Sequence, residues 1–379
     1  MQREINFDII VAGGGLGGLT FAIQCANAGY NVAVFEKEEY PFHKVCGEYV
    51  SNESKSFLIE LGLPLNSWQL PEIQQLLVTD IKGNAYPFQL DLGGFGISRF
   101  KLDDELYKLA IEKNVQVFAG TKVMNINFLQ DFFAVVTTKG NFSSRVVIGS
   151  FGKRSNIDVQ LKRINEERKF SSCNNFIGIK YHIKYHFPNN LIALHNFKNG
   201  YCGISMIEDE KCCLCYLTTM RNLKENENSI EAMQERVLYQ NPALKKIFSE
   251  AEFLYAKPEA IAQVSFAPKT QIQNHVLMVG DAAGLITPLC GNGMSMAMHS
   301  GKLAFTVVDK FLKGMINRLE MERQYRIDWE HHFKTRLWYG RKVQSLMGAD
   351  WLTSLSLGVM RRLPFLARHI IAATHGQPF

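Results

Sequence analysis

The chain has 379 residues, 46% of them hydrophobic and 21% charged, which is long enough for two domains with cores of their own. That composition, without a low-complexity tract or a clear internal repeat, excludes a disordered, fibrous or solenoid protein. The net charge is +6, but from Lys302 to Phe379 there are 13 Lys or Arg against 6 Asp or Glu, so the basic excess sits at the carboxyl end.

Phe7 to Ala12 is a short, almost wholly apolar run, the pattern of a parallel strand buried on both faces. Leu16 to Ala28 has helical periodicity and stops at Gly29, and Asn31 to Phe35 reads as a second strand, so residues 7–36 form a β-α-β unit. A loop over 40–55 passes into a helix. Arg99 to Lys113 is helical, with Leu102, Leu106, Leu109 and Ala110 on one face. Strands are predicted over Val115–Ala119, Val123–Phe128, Phe132–Thr137 and Arg145–Ile148. Ile177 to Phe187 alternates: Ile179, Tyr181 and Ile183 face one way, Lys180, His182, Lys184 and His186 the other. This predicts a half-buried antiparallel strand with one face on a core or cavity. Residues 201–207 and 211–218 read as the next two strands. Val276 to Val279 is again a buried strand, followed by glycine-rich turns and a helix from about Asn292. Residues 311–379 are mostly helical, and Tyr325, Trp329, Phe333 and Leu337 form a core stripe.

The eight cysteines form neither a disulfide framework nor paired zinc ligands. Cys212, Cys213 and Cys215 alternate along a strand and read as small buried residues, His182 and His186 are too far apart for one metal ion, and no metal is expected. Free thiols suggest a reducing compartment. With no leader pattern and no stretch of about 20 apolar residues, the expected location is cytoplasmic. Contact with a membrane surface through the basic carboxyl-terminal region, around Trp351, Leu352, Leu355, Leu357, Met360, Arg361 and Arg362, stays open beside a purely structural cap. No nucleic-acid partner is expected.

Two motifs carry the chemistry. Gly13-Gly14-Gly15-Leu16-Gly17-Gly18 follows a buried strand and opens a helix, the context that gives G-x-G-x-x-G its meaning. Gly13 permits the turn, Gly15 lets the backbone approach a pyrophosphate, and Gly18 lets helix and strand pack closely. The helix start offers N–H groups to phosphates. Glu36, at the end of the second strand, suits a ribose diol and disfavours a 2′-phosphate. The second motif is Gly280-Asp281-Ala282-Ala283-Gly284, then Pro288 and Gly291-Asn292-Gly293-Met294.

Together these segments resemble the flavoprotein superfamily of para-hydroxybenzoate hydroxylase, the flavin-dependent halogenases and the geranylgeranyl reductases. The resemblance covers most of residues 5–310 and implies FAD, with Asp281 on the ribityl chain and Pro288, Gly291, Gly293 and Met294 along the ring. It also implies cofactor contacts for Leu16, Lys37, Val123, Gly152, Gly280 and Arg99. Lys44-Val45-Cys46-Gly47-Glu48 resembles the K-x-C-G segment of the reductases, in which the Cys lies close to the flavin. Cys46 is thus the catalytic candidate, with a small packed residue as the competing reading. Phe151 stands where the family's middle motif has an Asp used in FAD and NAD(P)H contacts, which leaves open NAD(P)H or a partner reductase as donor. The halogenase W-x-W-x-I-P segment is absent, and the reductase Y-x-W-x-F-P segment is not intact.

The expected fold is α/β: a glutathione-reductase-like FAD-binding Rossmann domain (1–69, 99–155 and 266–310), an inserted antiparallel β-sheet substrate domain (70–98 and 156–265) and a helical carboxyl-terminal cap (311–379). The resemblance implies an FAD-dependent oxidoreductase. A monooxygenase acting through reduced flavin and O2 on an apolar or aromatic small molecule is the leading expectation. A reductase of isoprenoid or lipid double bonds and a non-enzymatic electron-transfer role remain alternatives.

Overall fold

The computed structural model describes residues 6–153, 155–161, 163, 175–285, 287, 291–346, 356, 358–359 and 362–379. The amino-terminal part runs β1 (Phe7–Ala12), α1 (Leu16–Asn27), β2 (Val32–Phe35), β3 (Tyr49–Ser51), α2 (Lys55–Leu61), β4 (Glu72–Thr79), β5 (Ala85–Gly96), α3 (Arg99–Glu112), β6 (Gln116–Phe118), β7 (Val123–Leu129), β8 (Phe132–Thr137), β9 (Gly140–Gly149) and α4 (Asn156–Gln160). The middle holds β10 (Phe176–Lys184), β11 (Leu191–Phe197), β12 (Gly200–Met206), β13 (Cys212–Thr219), α5 (Met220–Glu225), α6 (Ile230–Arg236), α7 (Pro242–Glu250), β14 (Glu252–Phe253) and β15 (Glu259–Val264). The chain closes with β16 (Ile272–Gln273), β17 (Val276–Met278), α8 (Gly293–Leu312), α9 (Arg318–Leu346) and α10 (Pro364–Thr374).

Two sheets result. In the first, β17, β9, β1, β2 and β6 lie side by side and parallel, and β8 and β7 continue from β9 as an antiparallel ribbon. The apolar runs of β1 and β2 are buried on both faces: α1, with α3 and α8 packed on it, covers them, and so do Phe118 of β6 and Phe142 of β9, whose rings meet Phe7 and Phe35. The stripe Tyr325, Trp329, Phe333 and Leu337 of α9 is buried in this same core. The second sheet runs β14-β10-β13-β12-β11-β4-β5-β3, with β15 also on β10. Its outer face is covered by α5, α6 and α7, through Met233, Leu238, Leu244, Ile247 and Phe248.

Three expectations change. The β10 strand is not half-buried: Lys180 and His182 are as buried as Ile179 and Ile183. Their face is polar because a buried carboxylate, Glu48, meets it. The second sheet takes β3 from the stretch 1–69, which was expected to belong wholly to the FAD-binding part. Helices α5–α7 stand where no helix was predicted. Of the carboxyl-terminal residues expected at a membrane surface, Trp351, Leu352, Leu355, Leu357, Met360 and Arg361 lie outside the described residues, whereas Arg362 is exposed. Among the described residues, no helix is long and apolar enough to cross a membrane.

Candidate cofactor and substrate site

Because β17, β9, β1 and β2 are parallel, the segments that follow them leave the same edge of the sheet. The glycine turn at 13–15, Glu36, Gly152 and the Gly280–Asp281 turn therefore meet at the carboxyl ends of the strands, where open α/β sheets bind ligands. The helices that follow the two motifs are held together by absent side chains. A methyl group on Gly17 would stand 2.7 Å from the Ala297 carbonyl oxygen, and one on Gly301 2.6 Å from the Gly17 carbonyl oxygen. Thus α1 and α8 cross in backbone contact, joining motifs far apart in sequence. Gly301 was not singled out from the sequence, and Gly17 only as an unassigned place in the motif.

The glycines of the first motif divide into two kinds. Gly13 has φ +111°, and a side chain on it or on Gly18 would collide with the Ser150 or Gly13 carbonyl respectively. Gly15 is different: a methyl group there meets only Lys44 Nζ, at 3.9 Å. The fold itself does not need a glycine at this position, and its absent side chain leaves room for a ligand. No side chain caps α1 at Gly15 and its first turn holds no acidic residue, so its partial positive charge is left for a phosphate. Gly47 and Gly152 also face open space. These residues fit a dinucleotide.

Lys44 and Arg99 stand beside this cradle, and both are held by Asp103. The carboxylate accepts from Arg99 Nε at 2.7 Å and Nη2 at 2.8 Å, and from Lys44 Nζ at 2.7 Å. Burial alone would raise the Asp103 pKa, but Arg99 and Lys44 pull it below the usual carboxylate range. Burial likewise opposes the Arg99 charge, and Asp103 more than restores it; Cys46 and Asp281 are close enough to add to this field. Sequence reasoning missed Asp103, although its place four residues after Arg99 on a helix was a legible signal.

Glu36 is buried, and its carboxylate accepts from the Gly14 N–H at 2.9 Å and the Glu38 N–H at 3.1 Å. Each oxygen keeps a lone pair for a ribose hydroxyl. Val123 opens β7 two residues after Thr121, whose N–H donates to the Glu36 carbonyl at 2.7 Å. Leu16 and Met294 are buried at the starts of α1 and α8. Gly280 donates its N–H to Ser300 Oγ at 2.8 Å, and Gly291 lies against the Tyr49 ring. Lys37 is not drawn into the cluster; it is exposed and pairs with Glu38. Pro288 lies outside the described residues.

The loop 44–48 bridges the two sheets. Cys46 offers its carbonyl to the Cys213 thiol at 3.3 Å. Glu48, at φ 56°, turns its carboxylate under the second sheet. It accepts from Lys180 Nζ at 2.5 Å and the Arg99 N–H at 2.8 Å, and its other oxygen meets His182 Nε2 at 2.5 Å. Burial would raise its pKa; Lys180 and His182 bring it below the usual range. Glu48, His182 and Cys213 place ligand-type atoms within 4.8 Å of one another. The Lys180 ammonium already supplies the cation there, and burial keeps the Cys213 thiol protonated.

The same sheet face has an apolar half. Phe176, Leu217, Tyr201, Leu194 and Val78 come from β10, β13, β12, β11 and β4, adjacent strands, and pack with Val264, Phe266 and Leu285. Leu285 follows the Gly280–Gly284 turn of the second motif, so this apolar row adjoins that turn.

A parallel sheet with its glycine turns at one edge, joined to a second sheet that faces those turns, is a fold shared with solved flavin-dependent enzymes. The family described as FAD binding domain matches residues 8–44. Conditioned medium factor receptor 1 of Dictyostelium discoideum is 23% identical over 79% of this chain, which spans 63% of that protein's length. Digeranylgeranylglycerophospholipid reductase of Methanocaldococcus jannaschii is 24% identical, over 94% of this chain and 91% of its own. The structure of the flavin-dependent brominase Bmp2 superposes with a TM-score of 0.79 over 97% of this chain and 93% of its own, at 18% identity. In its first motif and in its fold the chain is similar to FAD-binding enzymes, among them flavin-dependent halogenases and geranylgeranyl reductases.

Proposed function

We propose that the protein is an FAD-dependent reductase of a long apolar substrate, one that saturates an isoprenoid-like double bond. The observation that carries this reading is the apolar row on the inner face of the second sheet. It crosses five adjacent strands, roughly 19 Å at the usual spacing, and starts beside the segment that bears Asp281. A substrate laid along it would displace Leu285 and Phe266 and bring one end to the Cys46 loop. The K-x-C-G segment, Lys44 to Gly47, and the likeness to a digeranylgeranylglycerophospholipid reductase support the same reading.

Bound FAD would supply the hydride or electron pair. This chain's part is to hold the phosphates at Gly15, Lys44 and Arg99, the ribose at Glu36 and the ribityl chain at Asp281, and to exclude water along the apolar row. Monooxygenation is the second reading, favoured by Phe176, Tyr201 and Phe266, whose rings suit an aromatic substrate. Single-turnover oxidation of the reduced protein separates the two. Saturation of a polyprenyl substrate without oxygen is expected. Incorporation of labelled oxygen from O2, with no anaerobic product, would replace reduction by hydroxylation.

A further inference from the structure

Behind the Cys46 loop, polar groups form a continuous line from the half-exposed His43 to a fully buried carboxylate. His43 Nδ1 lies 3.3 Å from the Tyr255 hydroxyl. The same hydroxyl meets His182 Nδ1. His182 Nε2 lies 2.5 Å from Glu48 Oε2, and Glu48 Oε1 accepts from Lys180 Nζ at 2.5 Å. Lys180 also donates to the Lys44 carbonyl at 3.1 Å, within the loop that carries Cys46. Packing alone does not call for this arrangement, because leucine-like residues fill the equivalent positions on the other face of β10. A buried carboxylate, ammonium and imidazole together are costly unless each is paired.

We propose that His43, Tyr255, His182 and Glu48 form a proton path that feeds the flavin side of the site from solvent. This rests on the reading of the site as an FAD centre. The order of groups allows a balanced transfer. As His43 Nε2 takes up a proton from solvent, its Nδ1 proton passes to the Tyr255 oxygen, the phenol's own proton passes to His182 Nδ1, and the His182 Nε2 proton passes to Glu48 Oε2. One proton moves inward, each middle group gives one and receives one, and no electrons move. The Lys180 charge balances Glu48, and His182 joins Glu48 to Tyr255 through its two ring nitrogens. Burial, then the Lys180 charge, lowers the His43 pKa to about 4, so the outer group passes an extra proton on and does not retain it at neutral pH. Burial and Glu48 raise that of Tyr255, which keeps the phenol protonated. The ionisable groups around the path are Lys180 and Cys213 from β10 and β13, Lys211 and Glu208 from the turn between β12 and β13, and Glu259 of β15.

Two measurements test the path. In the protein without flavin, nitrogen NMR at neutral pH is expected to show His182 as the neutral Nε2–H form, with its Nδ1 resonance displaced in Tyr255→Phe. A doubly protonated or Nδ1–H His182 would overturn the path, since the phenol proton would have no acceptor. In the holoprotein, oxidation of anionic reduced flavin by dioxygen yields hydrogen peroxide and consumes one proton. Its rate is expected to fall about a hundredfold in Tyr255→Phe, with FAD content unchanged and with recovery on adding imidazole. If Tyr255→Phe loses FAD, His43→Asn at the outer end reads the same step. A wild-type rate in whichever variant retains FAD, or a fall that imidazole does not restore, overturns the proposal. A protein that never takes up flavin would refute the FAD reading instead, and the NMR result would still stand by itself.

Discussion

Gly15 and Gly18 are three residues apart and look alike in sequence, yet they answer to different demands. A side chain on Gly18 would strike the Gly13 carbonyl, whereas one on Gly15 has open space. Gly18→Val is therefore expected to destabilise the fold. Gly15→Val should leave thermal unfolding of the apo protein unchanged and abolish FAD binding. Equal loss of stability in both variants would show that Gly15 is a packing glycine after all. Asp281→Ala should weaken FAD by about ten- to a hundredfold, the worth of hydrogen bonds to a charged acceptor, as read by flavin fluorescence titration. The motif revealed these positions; only the surroundings of each Cβ reveal which of them serves a ligand.

At the scale of elements, α3 works as a mount. Ser98 caps it by accepting from the Lys101 N–H at 3.1 Å, and Glu208 accepts the Ser98 N–H at 2.7 Å. One turn on, Asp103 grips Arg99 and Lys44. Asp103→Asn would leave two cations facing a neutral group in a largely dry setting, a loss of about 3–5 kcal/mol for a broken buried pair. Urea unfolding should show it, together with weaker FAD binding; a change below about 1 kcal/mol would mean that water already screens the pair. The periodic elements were legible, among them β1, α1, α3 and the α9 stripe, because each repeats one apolar pattern over several residues. The Glu48 network was not legible. Lys180 and His182 read as the solvent face of an alternating strand, and nothing local in the sequence tells that a carboxylate some 130 positions earlier turns beneath them. Helices α5–α7 escaped because each spans at most a few turns, too short to establish a period.

For the molecule as a whole, acid should act in two stages. Burial lowers the His195 pKa to about 4. The folded form thus stays neutral while the unfolded chain takes a proton below about 6.5. Stability should be full above pH 6.5 and fall between about 6.5 and 4, by about 3 kcal/mol from this residue. Asp103 acts lower: its folded pKa is depressed, so its contribution is present above about pH 4 and is lost as pH falls through the folded value. Denaturant midpoints measured from pH 7.5 to 4.5 check the first stage, to which His43 and His299 add in the same direction, and His195→Gln should make it shallower. An equal fall in wild type and His195→Gln would mean that His195 is protonated in the fold.

The second sheet is stitched from separate stretches of chain. Its β4 pairs in parallel with β11, and β3 and β5 extend it further, yet all three precede α3. The half of the molecule that would choose the substrate is therefore not a cassette. A chimera that exchanged residues 156–265 with a relative would leave three of the nine strands behind and expose the edge of β4 to a foreign partner. New specificity in this scaffold should come from point changes along the apolar row, because recombination at a single pair of breakpoints would divide the sheet that we propose holds the substrate.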